Sequence, residues 1–187
     1  SQYIDDALYE QGRAFVQLED NTNAIERFQL LVKNFPQSHM ARRAANEIGL
    51  LYYQDDKYPE AITAYKDVIK NYPGSEEARL AQRDLKSIYI DLNKVDEYAD
   101  FASTIPGGAN FDVNERDSLT YVAAERVYMR GENVEARNSF VKYLQTFPEG
   151  AFSLNANYYI GLIDYNQQNY ESASAHLNKV LEYPNNK

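Results

Sequence analysis

Few side chains in this sequence are equipped for chemistry. The only histidines, His39 and His176, stand far apart in the chain, one at a predicted helix start and one within a later helix. No pair sits at the spacing a metal site uses. With no cysteine there is no thiolate nucleophile, no disulfide and no Cys-type zinc ligand, and the redox compartment stays open. Carboxylates do occur in pairs: Asp5-Asp6, Asp55-Asp56 and Glu76-Glu77. Adjacent residues on a helix do not face each other, so these pairs read as helix-start and turn charges, not as a general acid and base. Gly107-Gly108 lacks the Lys and Ser/Thr of a phosphate-binding loop, and no G-x-S-x-G nucleophile motif occurs. The expectation is a protein without catalysis, cofactor or metal. What remains is recognition, carried by 17 Tyr in a chain with no Trp. Tyrosine joins a broad apolar face to a hydrogen-bonding tip and loses little entropy when ordered.

Composition narrows the partners. Twenty-eight Asp and Glu against 19 Lys and Arg give a net charge of −9 over 187 residues, a poor balance for neutralising phosphates, so no nucleic acid is expected. With 44% hydrophobic and 25% charged residues the chain is neither disordered nor fibrous. No apolar run is long enough to span a membrane. The opening Ser1-Gln2-Tyr3-Ile4-Asp5-Asp6 is polar and acidic, unlike a signal peptide.

The elements that position the tyrosines repeat. Ala24, Ala61, Ala99, Ala136 and Ala173 recur at spacings of 37, 38, 37 and 37. Twelve residues before each lies a small residue: Gly12, Gly49, Ser87, Ala124 and Gly161. Four after comes Phe28, Tyr65, Ser103, Phe140 or Leu177. Pro36, Pro73, Pro148 and, one residue early, Pro184 close the copies. Apolar residues at helical spacing, such as Ala61, Ile62, Tyr65, Val68, Ile69 and Tyr72, make each copy a helix pair. Phe35-Pro36-Gln37-Ser38 and Tyr72-Pro73-Gly74-Ser75 stop one helix and cap the next. The small residue on the first helix is expected to face the Ala twelve positions on and let the two helices approach closely. One pair cannot bury its apolar face alone, so pairs must stack. The expected fold is all-α, a right-handed α-solenoid of about five antiparallel helix pairs. Its copies are 1–36, 37–73, 74–110, 111–148 and 149–187, in one domain.

The pattern small–x11–Ala–x3–aromatic–x7–Pro resembles the tetratricopeptide repeat (TPR), whose period is ~34 residues. The aromatic or Leu usual four residues before the first small position is present only as Leu8; Ala45, Arg83, Thr120 and Asn157 stand in the other copies. The long period, with Pro-x-Ser-x-x-Ala turns at 36–41 and 73–78, resembles bacterial cell-envelope TPR proteins: the Tol–Pal-associated periplasmic protein and the β-barrel-assembly lipoprotein. That resemblance implies a periplasmic or envelope-associated scaffold for a protein or peptide partner. It also implies that first helices line a concave groove. Carried over by position, the groove comprises Tyr9, Arg13, Asn46, Tyr53, Gln54, Asp84, Tyr121, Tyr128, Tyr158, Tyr165 and Asn166, with Glu125, Met129 and Leu162 alongside. The alternative for each tyrosine is packing between adjacent first helices with only the hydroxyl wet. The Lys and Arg of a carboxylate-clamping TPR groove are missing, Arg13 being the only cation nearby. A glycan-binding surface and an architectural spacer are the rival functions.

Copy three departs from the pattern. Its second helix, from about Val95, runs into Ser103-Thr104-Ile105-Pro106-Gly107-Gly108, so it is expected to be short, with an irregular loop over 104–113 and a cap from Asp112 or Asn114. Phase is expected to hold from Ala99 to Ala136. Both ends look cut from a longer repeat protein. Leu177, Val180 and Leu181 on the last helix leave an uncapped face open to end-to-end self-association.

Overall fold

The computed structural model describes residues 3–107 and 111–182. Gly108, in the copy-three loop, and Pro184, which closes the last copy, lie outside them. Ten helices and no strand form among the described residues, which gives the all-α helical-repeat class the sequence predicts. The chain divides into two compact units, residues 1–88 and 89–187.

The first unit contains α1 (Ile4–Gln17), α2 (Asn21–Asn34), α3 (His39–Gln54), α4 (Tyr58–Asn71) and most of α5 (Glu76–Asp91). Helix starts follow local chemistry. The side chains of Asp20, Ser38 and Ser75 accept the backbone N–H groups of Asn23 (3.1 Å), Met40 (3.1 Å) and Ala78 (3.0 Å), three of the donors every helix start leaves unpaired. Each helix pair closes on one backbone device. Asp20 N–H reaches Phe15 O at 2.9 Å and Lys57 N–H reaches Tyr52 O at 2.9 Å, with Glu19 and Asp56 between them at φ 58° and 56°. That is the Schellman closure with a left-handed residue. The core holds Ala24, Phe28, Leu31, Ala41, Ala44, Ile48 and Leu51, and Tyr65 is fully buried.

The close approach has a more specific cause than facing small residues. A Cβ built on Gly12 would stand 2.4 Å from the ring of Phe28, and one on Gly49 would stand 2.7 Å from that of Tyr65. The glycines therefore clear space for the aromatic sixteen positions on, rather than for the Ala twelve positions on. In the last copy Gly161 does the same for Leu177, at 2.7 Å.

The second unit contains the end of α5, α6 (Val95–Ser103), α7 (Val113–Met129), α8 (Asn133–Thr146), α9 (Ser153–Asn166) and α10 (Tyr170–Leu181). As predicted, α6 is short, and Asp112 caps α7 by accepting the Glu115 N–H at 2.7 Å. Closures recur in this unit: Lys94 N–H to Tyr89 O at 2.7 Å and Asn169 N–H to Asp164 O at 2.8 Å, with Asn93 and Gln168 at φ 57° and 64° and Gly131 at φ 80° in the turn between α7 and α8.

These turns correct the register of copy three. Left-handed residues stand at 19, 56, 93, 131 and 168, so the extra residue lies between copies three and four. Tyr98, not Ala99, occupies the small position, and Ala102 occupies the aromatic one; both are buried. Bulk has moved one turn toward the helix start. The Tyr98 ring packs between Tyr89 (5.4 to 6.0 Å being the range of its two ring contacts) and Phe111, which ties down the far side of the loop.

Candidate functional site

The predicted groove residues fall into three kinds of place. Tyr9 and Tyr121 are core residues, 3% and 4% exposed, which corrects their assignment to an open groove. Tyr9 packs on Phe28 with the Arg43 guanidinium 5.2 Å above its ring. Tyr121 stacks on Phe152 at 4.5 Å and leans on Phe140 and Tyr143. Tyr158 holds the same repeat position, three before the small residue, yet is 46% exposed. The next copy supplies the cover in the first two cases, Arg43 from α3 and Phe152 at the start of α9. Among the described residues no further first helix follows α9.

Arg13, Gln54, Tyr165 and Asn166 are exposed. Arg13 pairs loosely with Glu10 at 3.6 Å, and Tyr165 meets the ring of Tyr170 edge-on at 5.5 Å. Tyr53, half-buried, leans on Tyr58 at 5.9 Å. Asp84 accepts from Arg83 at 3.0 Å and from the Tyr65 hydroxyl at 3.4 Å. Asn46 lies in a polar cleft of about 420 Å³ between α3 and α5, with Arg43, Glu47, Glu76 and Glu77. Its buried Oδ1 has no hydrogen-bond partner, and burial raises the Glu47 carboxyl above its usual range.

In the second unit Tyr128 is half-buried on α7 and meets Tyr159 of α9 at 4.8 Å. Between them lies Glu125. The hydroxyls of Tyr121 and Tyr159 donate to its Oε1 at 3.0 and 3.4 Å, and burial together with that carboxylate raises both phenol pKa values. Met129, 70% exposed, extends the patch. Tyr159 was missed by the positional reading because its repeat position carries Glu10, Glu47 and Val122 in other copies. The positional reading also missed a groove of about 520 Å³ between α2 and α4, floored by Ala45, Ile48 and Tyr52 of α3. It lies on the second helices, where no groove was sought.

The histidines do no joint chemistry. His39 is exposed at the start of α3. His176 Nδ1 lies 2.9 Å from Asn157 Oδ1, and burial holds its pKa below the usual value. No cluster of His, Asp and Glu suited to a metal occurs among the described residues.

Helix pairs closed by one turn device and interlocked by a small residue against an aromatic define a helical-repeat protein. Residues 6–76, the first two copies, match the tetratricopeptide repeat family model. Proteins of this family are in general non-catalytic scaffolds that bind protein partners. No match was found among curated protein sequences. Solved structures to which the chain is similar include MamA from Desulfovibrio magneticus RS-1, with 13% identity, 96% of this chain and 94% of that chain covered, and a TM-score of 0.46. A tetratricopeptide repeat protein from Parabacteroides merdae shows 16% identity, coverage of 97% and 68%, and a TM-score of 0.46. TPR-like repeats of a putative kinesin light chain from Podosopora anserina show 14% identity, coverage of 94% and 92%, and a TM-score of 0.40. No helix among the described residues is long and apolar enough to cross a membrane.

Proposed function

We propose that the protein is a non-catalytic scaffold that binds an extended peptide or a partner helix on its first-helix faces, chiefly on α7 and α9. One observation carries this reading: Glu125, Tyr128 and Met129 of α7 share a face with Tyr159 of α9 at the half-buried edge of the core, where Tyr159 stacks on Phe140 at 5.1 Å. Rings that keep a wet edge bind well because their apolar surface is already ordered. The test is parallel capture on peptide and glycan arrays by the intact protein and by a Tyr128→Ala/Met129→Ala variant shown to be folded by circular dichroism. Peptide capture reduced at least about tenfold in the variant is expected, given that such ring anchors carry ~2 kcal/mol in binding. Glycan capture alone, or peptide capture unchanged in the variant, sinks the reading.

An envelope location belongs to the same proposal and is supported by the 37-residue period and the Pro-x-Ser-x-x-Ala turns. Recovery of the native protein only from the cytosolic fraction of its host overturns it. End-to-end association through α10 is a further part of the proposal, supported by Leu181 at 80% exposure. Sedimentation velocity should show concentration-dependent dimers that Leu181→Glu removes, and a monomer at all concentrations would dismiss them.

A further inference from the structure

Within the second unit each arginine, and Lys94, holds a carboxylate, whereas Asp117 and Glu125 accept from tyrosine hydroxyls instead. Arg126 pairs with Asp91 at 2.5 Å, Arg116 with Asp96 at 2.6 Å, Arg130 with Glu132 at 2.9 Å, Arg137 with Asp164 at 2.5 Å and Lys94 with Glu97 at 3.1 Å. Glu125 is different. It is half-buried on the first-helix face, and the groups the structure gives it are two tyrosine hydroxyls, both on Oε1. Neutral hydroxyls share the negative charge but do not cancel it. Around it, Tyr128 and Tyr159 lie 4.8 Å apart and tilted by 52°, and Tyr158 lies 6.0 Å from Tyr159 at 60°. One face of the Tyr159 ring is taken by Phe140, stacked at 5.1 Å, which leaves the tilted Tyr128 ring to present its negative π-face next to the negative charge of the carboxylate. Both attract a cation, and neither suits an anion.

We infer that Glu125, with the rings of Tyr128 and Tyr159, is a receptor for a lysine or arginine side chain on a basic segment of the partner. The occupant's charge complements both the site and the net charge of −9, which steers basic segments toward the protein. The inference rests on the peptide-binding reading of this face and names the chemistry of the ligand it takes.

The experiment uses the full chain and an array of immobilised 15-residue peptides in a neutral background, differing at the central residue: Lys, Arg, acetyl-lysine or norleucine. Lys and Arg peptides should bind about tenfold more tightly than their acetyl-lysine counterpart, the scale of one solvent-exposed cation–π contact plus one half-exposed ion pair. Glu125→Gln, shown to be folded by circular dichroism, should erase that preference. Tyr128→Phe, which keeps the ring, should retain the preference. Equal binding of all four central residues, or a preference that survives Glu125→Gln, overturns the cation receptor and leaves the peptide scaffold standing. Absence of binding to every peptide overturns both.

Discussion

Arg137 and Asp164 occupy positions where most other copies keep apolar residues: Ile25, Ile62 and Ala99 (with Ser174 in copy five) for the first, Phe15, Tyr52, Tyr89 and Val127 for the second. Asp164 is fully buried. Arg137 meets it with two hydrogen bonds, 2.5 and 2.9 Å, and Ser172 adds a third at 2.6 Å, so the pair joins α8, α9 and α10. The Arg137 hydrogen bond, above all, holds the Asp164 carboxyl below its usual range. A carboxylate with a depressed folded pKa gives its full stabilisation above the unfolded value near ~4 and loses it as pH falls through the folded value. Urea unfolding should therefore show stability falling on acidification below about pH 4, with a shallower fall in Arg137→Met. At pH 7 Arg137→Met should cost about 3 kcal/mol, because it leaves a buried carboxylate without its cation. Asp117 works similarly without a cation. Its oxygens accept from the Tyr143 hydroxyl and from Ala151 N–H, the latter at 2.7 Å, which pins the turn into α9. Asp5 holds the same repeat position and accepts from Ser38 in the corresponding turn at 2.6 Å. Tyr143→Phe should lose about 1–2 kcal/mol in denaturant midpoints, since a buried carboxylate oxygen loses its donor. In the sequence Asp117 is one acidic residue near a helix start. Its partners come from residues 26 and 34 positions away, and no local pattern signals them.

At the scale of elements, the turn within each pair and the notch for the aromatic make separate predictions. Glu19, Asp56, Asn93 and Gln168 adopt a left-handed backbone that costs a side-chain-bearing residue about 1–2 kcal/mol. Gln168→Gly should raise stability by about 0.5 kcal/mol once the looser unfolded chain is counted, and Gly131→Ala should lower it by about 1 kcal/mol. Thermal melts of both variants check the opposite signs. Gly49→Ala should destabilise by about 1–2 kcal/mol despite the better helix propensity of Ala, because the Tyr65 ring in its way is fully buried and cannot retreat. Helix number, the caps and the short α6 were legible in the sequence, since Pro, Ser, Asp and apolar spacing act locally. The register of copy three was not. Aligning on small residues assumes the small residue stays put, and there the bulk has moved from the aromatic position to the small one, with Tyr98 held by Tyr89 and Phe111. The turn residue Asn93, at a steady spacing of 37 from Asp56, carried the true phase.

For the molecule as a whole, α5 contributes residues to both compact units without a break. We propose that the five copies unfold as one domain. Circular dichroism and tyrosine absorbance should give coincident transitions in urea, and two resolved transitions would divide the chain into separate folding units. The proposed binding face was partly legible at this scale. Positional carry-over found Tyr128 and placed Glu125 beside it, but it could not tell Tyr158 from Tyr121, because exposure at that position depends on whether another copy follows. Copy three bears on how such a chain can grow. Copies one and two keep Gly12 and Gly49 opposite Phe28 and Tyr65, so the 37-residue segment from Glu19 to Asp55 begins and is followed by equivalent turn residues, Glu19 and Asp56. A tandem duplication there would bring each new side chain to a familiar neighbour. The same cut through copy three would set Tyr98 against partners shaped for alanine. A duplication of copy one thus meets matched joints, whereas one through copy three would have to carry Tyr89, Tyr98 and Phe111 together.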